Sequence, residues 1–464
     1  MGNAPPVAGE AVPERRRNRS LSGGRVPWPA VVALCSLGWV VLYAGRGVLA
    51  PGLGSIGAEW GLDEASLGLI SSVFFLAYAA MQVPTGVLAD RLGKKGILVA
   101  GLLLVSLATT LRGLAPSYVF FLLAGGLAGL GQGTYYATQF AISSAAIPPA
   151  RRAFGSAVIY AGMSVGLSLG LVLASYVNFS LGWGWRAPFL LLVPPTVVVA
   201  GLFALYVREA HPGGPGLAPD QATPAAGAPL EGWPATSGAP ASQAPPVSPA
   251  SPASPASPAL KGGLAPRLLE VYALNFTSLY AFFMLLAWLP YFLEHTRGLS
   301  GAEAGLAASV LSWASIPGAL AVSFLSDRLG SRLGPLRLLL PAAAASVLGL
   351  ALVDSGPLLY GFLIMYGLFG RSAVDPLLVA RVAELAPPGR SATTLGLLNF
   401  SGMVASVLAP YVTGALAVAT GDMRHPFVLA AGILLGGSVL ALAAGRPRAA
   451  GTLGQTGQKG QKGR

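Results

Sequence analysis

Long apolar runs, each broken by glycine, proline or charged residues, occupy most of the chain between residues 28 and 445. Each run is about 20 residues or longer, which is the length that an α-helix needs to cross about 30 Å of hydrocarbon. The pattern predicts an all-α membrane protein with twelve membrane-spanning helices in two sets of six. The predicted spans lie near 28–50, 66–88, 96–115, 117–141, 153–179, 186–207, 268–293, 301–325, 333–354, 357–382, 391–419 and 425–445.

Three segments lack this pattern and are predicted to be disordered. The segment between the two sets is rich in Ala, Pro, Gly and Ser, with a Ser-Pro-Ala repeat over 248–258. Such a composition has no apolar face to bury, so nothing offsets the entropy lost on ordering. The predicted organisation is a tail (1–27), a first bundle (28–207), a linker (208–267), a second bundle (268–445) and a basic tail (446–464).

The composition excludes several other classes of protein. Apolar residues make up 54% of the chain and charged residues only 10%, whereas a soluble domain is about 25% charged. The one cysteine, Cys35, lies inside an apolar run, and the three histidines are far apart, so no metal site is predicted. The spans contain no paired acids or histidine cluster, so we predict neither an enzyme nor a bound cofactor.

The net charge of +12 is explained by membrane topology rather than by a nucleic-acid surface. Most of the 29 Lys and Arg residues fall before the first span, after even-numbered spans, or in the linker and final tail. Because basic loops stay in the cytoplasm, both termini are predicted to be cytoplasmic, in a cell membrane. The loops predicted on the other side of the membrane hold acidic residues instead. The arginines assigned to these outer loops are Arg112, Arg186, Arg297 and Arg424.

A short polar motif occurs once in each half, after the second and the eighth span. The first copy is Leu-Ala-Asp-Arg-Leu-Gly at 88–93, and the second is Leu-Ser-Asp-Arg-Leu-Gly at 325–330. The same motif after the second span of each set indicates two bundles related by pseudo-twofold symmetry, with a substrate path between them. The candidate residues in and beside the two copies are Gly86, Asp90, Arg91, Gly93, Lys94, Lys95, Asp327 and Arg328.

The motif, its station, the twelve spans and the central linker resemble the major facilitator superfamily over nearly the whole chain. The loop signature of that family is Gly-x-Leu-Ala-Asp-Arg-x-Gly-Arg-Lys, which the residues at 86–95 follow. The resemblance implies two six-helix bundles that rock about a central cavity and open it alternately to each side. It also implies a conformational gate, in which Asp90 and Arg91 tie the bundles together in one state. The alternative is that these charges only anchor the loop in water.

Three stretches resemble the anion:cation symporters and organophosphate exchangers of this superfamily, at 43–46, 74–84 and 288–300. The resemblance implies a secondary transporter for a small organic anion, either a carboxylate or a phosphorylated metabolite. Two alternatives stay open, which are proton-coupled efflux of drugs or amphipathic metabolites and a non-transporting membrane sensor or interaction protein. Drug exporters usually carry a Gly-Pro pair in the fifth helix, where this chain has Gly166 and Leu167.

Arg46 is the foremost candidate for contact with substrate, because an arginine inside a bilayer is costly unless it faces a cavity or a partner. Its planar fork of donors suits a carboxylate or phosphate, and the matching arginine of the anion families binds the charged group of the substrate. Tyr43 lies one turn before Arg46 on the same face, and Tyr78 matches a tyrosine that points into the cavity in related families. Further polar candidates are Gln132, Tyr136, Gln139, Tyr160, Asn275, Tyr280, Arg371 and Asn399. The alternative for each is interhelical packing or hydrogen bonding.

Asp375 is the candidate for ion coupling, because it is the one acid predicted deep within a span. It lies four residues after Arg371, so the alternative is a structural ion pair on one helix face. Proton-coupled relatives place acids where this chain has Gly45 and Gln132, and the fourth-helix arginine of the superfamily is replaced by Gly125. A coupling proton, a sodium ion, exchange and facilitated diffusion all stay open.

Overall fold

The computed structural model describes residues 27–148, 151–207, 266–329, 333–354, 356–387 and 391–443, apart from a few side chains within these ranges. Nearly all of the predicted linker and both predicted tails lie outside the described residues. The described part is all α-helical and confirms the predicted fold class. We call residues 27–207 the N-terminal half and residues 266–443 the C-terminal half.

Each half contains six spans. Among the described residues, a second helical segment interrupts or continues four spans of the N-terminal half and one span of the C-terminal half. In the N-terminal half they are Trp28–Gly47 with Leu49–Trp60, Glu64–Leu92, Lys94–Gly113, Tyr118–Gly133 with Tyr135–Ala146, Arg152–Ser175 with a π-helical turn Tyr176–Ser180, and Ala187–Leu191 with Val193–Tyr206. In the C-terminal half they are Pro266–His295, Gly301–Leu329, Leu333–Leu352, Gly356–Phe369 with Arg371–Leu385, Ser391–Thr420 and Arg424–Ala443.

Within the described residues, eleven of the spans are long and apolar enough to cross a membrane. The fourth span falls outside this set because glycines and polar side chains interrupt its apolar sequence near Gln132 and Gln139. Large apolar side chains such as Leu76 (58% exposed) and Leu338 (76% exposed) cover the outside of the bundle. Such a surface suits lipid, because each helix satisfies its own backbone hydrogen bonds.

The helix ends follow local sequence signals, with one clear departure from prediction. Asp63 caps the second span by accepting a hydrogen bond from the Ser66 N–H (2.8 Å). Gly93 links the second and third spans with a φ of 92°, a conformation that favours glycine. The predicted end of the first span at residue 50 is wrong, because the helix resumes after a turn at Val48 and runs to Trp60. Pro51 lies in the first turn of this second segment, where the missing N–H costs nothing.

A seam of glycines holds the first span against the fifth. A Cβ atom at Gly162, Gly166 or Gly170 would lie 2.5, 2.3 or 2.3 Å from the carbonyl oxygens of Ser36, Val40 and Ala44 respectively. No larger residue fits these three positions without moving a backbone, so the two helices pack at a very short distance. This packing fixes the segment of the first span that carries Arg46.

The two halves meet through the second and eleventh spans and through the fifth and eighth spans. We call the end of the bundle at Gly93 and Arg328 the motif end. The opposite end, at Glu59 and Asp63, is the acidic end. Near the acidic end, the Ser72 hydroxyl donates to the Val407 carbonyl (2.6 Å) across the interface.

Four glycines show that the second and eleventh spans touch at one end and part toward the other. A Cβ atom at Gly68 would lie 2.3 Å from the Pro410 carbonyl oxygen, and one at Gly414 would lie 2.0 Å from that of Glu64. About five turns away on each helix, Gly86 and Gly396 have no atom within 4 Å of the Cβ position. Because the two glycines on each helix are separated by whole turns, both lie on the face that meets the other helix. The interface is therefore closed at the acidic end and open toward the motif end.

Candidate functional site

Arg46 lies in the first span just before its turn at Val48, and its side chain points toward the fourth span. The Arg46 Nε–H donates to Gln132 Oε1, while Gln132 Nε2 donates to the Leu42 carbonyl (3.0 Å). The amide of Gln132 is thereby held in one orientation, with its oxygen toward the guanidinium. Arg46 Nη2 is buried and has no hydrogen-bond partner in the described part of the chain, so one end of its donor fork is unused.

Aromatic rings surround the guanidinium of Arg46. Its Cζ atom lies 4.4 Å from the ring centroid of Tyr43 and 5.0 Å from that of Tyr78. The rings of Phe74 and Phe75 lie 5.5 and 5.4 Å away. Cation–π attraction to the rings holds the charge in place while their low polarity excludes water. The structure therefore brings four predicted site residues, Arg46, Tyr43, Tyr78 and Gln132, into one group.

Arg46 also lines a small cavity between the two halves. The volume of the cavity that is accessible to the centre of a water molecule is about 30 Å³, which is room for about two water molecules. The C-terminal half contributes the seventh span to its wall. The lining residues are Gly45, Arg46, Leu49, Ala50, Ser71, Phe74, Phe75, Arg112, Leu286 and Ala287. This space is smaller than an organic solute, so binding one requires movement of the residues around the cavity.

A second polar group lies where Tyr136 and Tyr160 of the N-terminal half approach the tenth span. The two tyrosine side chains lie close to each other and within electrostatic range of Asp375. Asp375 Oδ2 is 3.4 Å from Arg371 Nη2, and the Arg371 Cζ atom lies 4.9 Å from the ring centroid of Phe282. The structure thus pairs Arg371 with Asp375 as an ion pair that is partly exposed and faces the tyrosines of the other half.

Gln139 and Asn275 have their polar atoms engaged in contacts within their own half, whereas the Tyr280 hydroxyl is buried without a hydrogen-bond partner among the described residues. Gln139 accepts from Trp39 Nε1 (3.1 Å) and donates to the Ser143 hydroxyl (3.0 Å). Asn275 donates to the Leu398 carbonyl (2.8 Å) and the Ser401 hydroxyl (2.9 Å), which ties the seventh span to the eleventh. Tyr280 is buried in the C-terminal half. These positions support the helices rather than the Arg46 group.

Asn399 makes a contact that crosses between the halves. Its amide donates to Gln82 Oε1 (2.8 Å) near the point where the second and eleventh spans begin to part. The same Gln82 amide nitrogen lies 3.9 Å from the Met403 sulfur. Asn399 is exposed and Gln82 is half-buried. Among the described residues, their hydrogen bond is the polar contact between these two helices that lies nearest to the motif end.

The predicted gate residues lie at the motif end. Asp90 and Arg91 are exposed at the end of the second span, while Lys94 and Lys95 begin the third span and are half-buried. Arg328 ends the eighth span with its Cζ atom 4.3 Å from the ring centroid of Phe324. The side chain of Asp327 lies outside the described ones. The exposure of Asp90 and Arg91 accompanies the parting of the two halves at this end.

Arg112 corrects the sequence interpretation, which assigned it to a loop on the opposite side of the membrane. It belongs to the third span and is only 5% exposed. The signal was present in the sequence, because the helix-stopping residues Gly113 and Pro116 follow Arg112 rather than precede it. Because Arg112 was counted among the loop charges that set the topology, the sequence interpretation missed a buried arginine beside the cavity.

Sequence comparisons link the chain to a family and to particular relatives. The model of the Major Facilitator Superfamily matches residues 35–265 and 271–462. The chain is 28% identical over 396 residues to the gentisate transporter of Corynebacterium glutamicum, covering 83% of this chain and 81% of that protein. It is 25% identical over 419 residues to a probable sulfoacetate transporter of Cupriavidus necator, covering 89% and 92% respectively.

Comparison with solved structures supports the architecture. The chain is similar to a bacterial homolog of the human lysosomal transporter Spinster in an inward-facing and unoccupied conformation, with a TM-score of 0.70. The match covers 90% of this chain and 96% of that chain at 18% sequence identity. At this identity the likeness concerns the fold alone, and it confirms the twelve-helix architecture predicted from the apolar pattern.

Proposed function

Because the chain belongs to the Major Facilitator Superfamily and is a multi-pass secondary transporter, we propose that its solute is a small organic anion. The solute class is a carboxylate or a phosphorylated or similarly acidic metabolite. Gentisate and sulfoacetate, after which two relatives are named, are both organic anions. No covalent chemistry is required of the protein, only binding and a change in access.

The observation that carries the proposal is the unbalanced charge of Arg46. Within the described residues, no carboxylate lies within 4.0 Å of its guanidinium, whereas Arg186, Arg297 and Arg371 each have an acidic partner. Arg46 is partly buried, and its Nη2 atom is buried without a partner; leaving such a donor unsatisfied costs about 1–3 kcal/mol, and more for a charged group. An anionic solute in the cavity would supply the missing charge and use the free Nη2 donor of Arg46.

The way the halves meet supports transport by alternating access. In the present arrangement the acidic end is closed by direct backbone contact at Gly68, and the motif end is parted around Gly86. The reverse arrangement would bring the two halves together at the motif end. Asp90, Arg91 and Lys94 would then form the contact between the halves. The charge bias of the loops supports a cytoplasmic location for the motif end and both termini, in a cell membrane.

Asp375 is our candidate for proton coupling, and its replacement tests that role. We expect Asp375→Asn to abolish the accumulation that a pH gradient drives, because an amide does not take up and release a proton near neutral pH. Exchange of internal for external solute should continue, since Arg46 is unchanged. The measurement is uptake into proteoliposomes with and without an imposed pH gradient.

The matched control for this variant is Asp354→Asn. Asp354 also pairs with an arginine, Arg297, but its side chain is 74% exposed at the acidic end, so its loss should leave gradient-driven uptake intact. If Asp375→Asn retains full dependence on the pH gradient, Asp375 has no role in proton coupling, and exchange or sodium coupling gains support.

Thermal stability of the purified protein in the presence of candidate solutes tests the solute class. We expect carboxylates or phosphorylated compounds to stabilise the protein, by about 2.7 kcal/mol at a concentration 100 times the Kd. Neutral sugars and cationic dyes should have no such effect, and Arg46→Gln should remove the response to anions. Stabilisation by cationic dyes alone would contradict the proposal and favour the efflux alternative.

A further inference from the structure

Arg112 is the second arginine at the cavity, and no carboxylate accounts for its burial. It is 5% exposed, and its Nε and Nη2 atoms are buried without a hydrogen-bond partner in the described part of the chain. Its guanidinium lies between two rings, with Cζ 4.5 Å from the centroid of Phe121 and 4.7 Å from that of Phe189. The rings fix the position of the charge but provide no acceptor for its N–H groups.

Arg112 and Arg46 line the same small cavity from different helices. Among the described residues neither guanidinium has a carboxylate within 4.0 Å. Two like charges beside one cavity, Arg112 buried and Arg46 partly buried, repel each other, and the low polarity of the surrounding rings strengthens that repulsion. An arrangement of this kind is favourable only when negative charge enters between the two arginines.

Two glycines leave unfilled space in or near the cavity. Gly45 precedes Arg46 and lines the cavity, and its Cβ position has no atom within 4 Å. Gly125, one turn after Phe121 on the fourth span, is buried and likewise has no atom within 4 Å of its Cβ position. The missing side chain at Gly45 leaves room for a solute in the cavity that both arginines line, and Gly125 leaves further room on the fourth span, one turn from the Phe121 ring that contacts Arg112.

We infer that Arg112 is a second anion-binding residue and that the preferred solute is a divalent organic anion, with one charged group on Arg46 and the other on Arg112. This inference rests on the proposed function and narrows its solute class. A monovalent anion neutralises only one arginine and leaves the other buried without a partner. A divalent anion satisfies both, so the second charge raises affinity rather than adding only a desolvation cost.

The test compares matched pairs of anions that differ by one charged group. The probes are butyrate with succinate, gluconate with glucarate, and benzoate with phthalate, which cover aliphatic, polyol and aromatic frameworks. Binding to the purified full-length protein is measured by calorimetry or thermal stability for wild type, Arg112→Gln and Arg112→Lys. We expect wild type to bind the divalent member of at least one pair about tenfold or more tightly.

In Arg112→Gln this preference should fall to about threefold or less, while affinity for the monovalent member of the pair changes little. Arg112→Lys should keep part of the preference, because the charge remains but the fork of donors is lost. The matched control is Arg186→Gln. Arg186 also stacks on a ring, with Cζ 4.2 Å from Trp185, but it is paired with Glu59 and partly exposed, so its loss should leave the preference unchanged.

The outcomes separate this inference from the proposed function. If monovalent anions bind and no divalent partner binds more tightly to wild type, the inference about Arg112 is wrong while the anion carrier stands. The same holds if Arg112→Gln keeps the full preference. If wild type binds no anion of any pair, the proposed function fails and the inference fails with it. The wild-type comparison decides the matter even if an Arg112 variant does not fold.

Discussion

Replacing Arg46 with glutamine should reduce anion uptake about 100-fold or more. Loss of one partner from a buried charge pair costs about 2–5 kcal/mol, and about 2.7 kcal/mol corresponds to a factor of 100. The expected effect is large because Arg46 supplies the charge, its position is fixed by Gln132 and four aromatic rings, and no other described basic residue contacts that group. Initial uptake rates in proteoliposomes measure the change.

A lysine at the same position should give an intermediate result. Lysine keeps the positive charge but presents no planar fork, so binding weakens without being abolished. Arg424→Gln is the control, because Arg424 is 44% exposed at the acidic end and far from the cavity; its uptake should match wild type. Wild-type uptake by a well-folded Arg46→Gln protein would remove Arg46 from the binding site.

Leucine in place of Gly68 should reduce transport about tenfold or more by preventing closure of the acidic end. The Cβ atom alone would lie 2.3 Å from the Pro410 carbonyl oxygen, and overpacking of this kind costs about 1–3 kcal/mol or more. Only the conformation with the acidic end closed carries this penalty, so the equilibrium shifts to the opposite conformation. Anion binding should persist, because Gly68 is remote from Arg46 in the contacts described.

Side-specific labelling reports that shift directly. The labelled variant carries Ser72→Cys in a Cys35→Ser background, which leaves it one cysteine. Residue 72 contacts the Val407 carbonyl near the acidic end, so its thiol is covered when that end is closed. A membrane-impermeant maleimide should label it faster in the Gly68→Leu protein than in its parent. Gly436→Leu is the matched control, since Gly436 is exposed and has no atom within 4 Å of its Cβ position. Unchanged labelling and transport in Gly68→Leu would contradict closure at this glycine.

The sequence predicted the helices well because the membrane leaves few alternatives. Every backbone group in a span must be satisfied within the helix, so length and hydropathy suffice to locate it. The same pattern could not locate Trp60 as the end of the first span. Pro51 and the nearby glycines are typical of a loop, and only the packed structure shows that the proline sits in a first helical turn.

The candidate site could be predicted only in part. The cost of a charge in the bilayer identified Arg46 without any structure. Sequence spacing placed Gln132 and Gln139 on one face of the fourth span, but it could not tell which of the two amides contacts Arg46. Gln139 is engaged by Trp39 and Ser143, whereas Gln132 faces Arg46. Such pairing depends on residues about 100 positions away in the chain. Arg112 was missed for a different reason, because it was assigned to a loop although the helix-stopping residues Gly113 and Pro116 follow it.

Exchange of anions by the purified protein alone tests the central claim most directly. Proteoliposomes loaded with an unlabelled carboxylate or phosphorylated compound are placed in a trace of the same labelled compound, and the label inside is followed over time. An anion carrier with alternating access should accumulate label for at least one anion, and Arg46→Gln should not. If wild-type protein that is folded and inserted exchanges no anion, yet exchanges a neutral or cationic solute, the account of Arg46 as the anion site is contradicted.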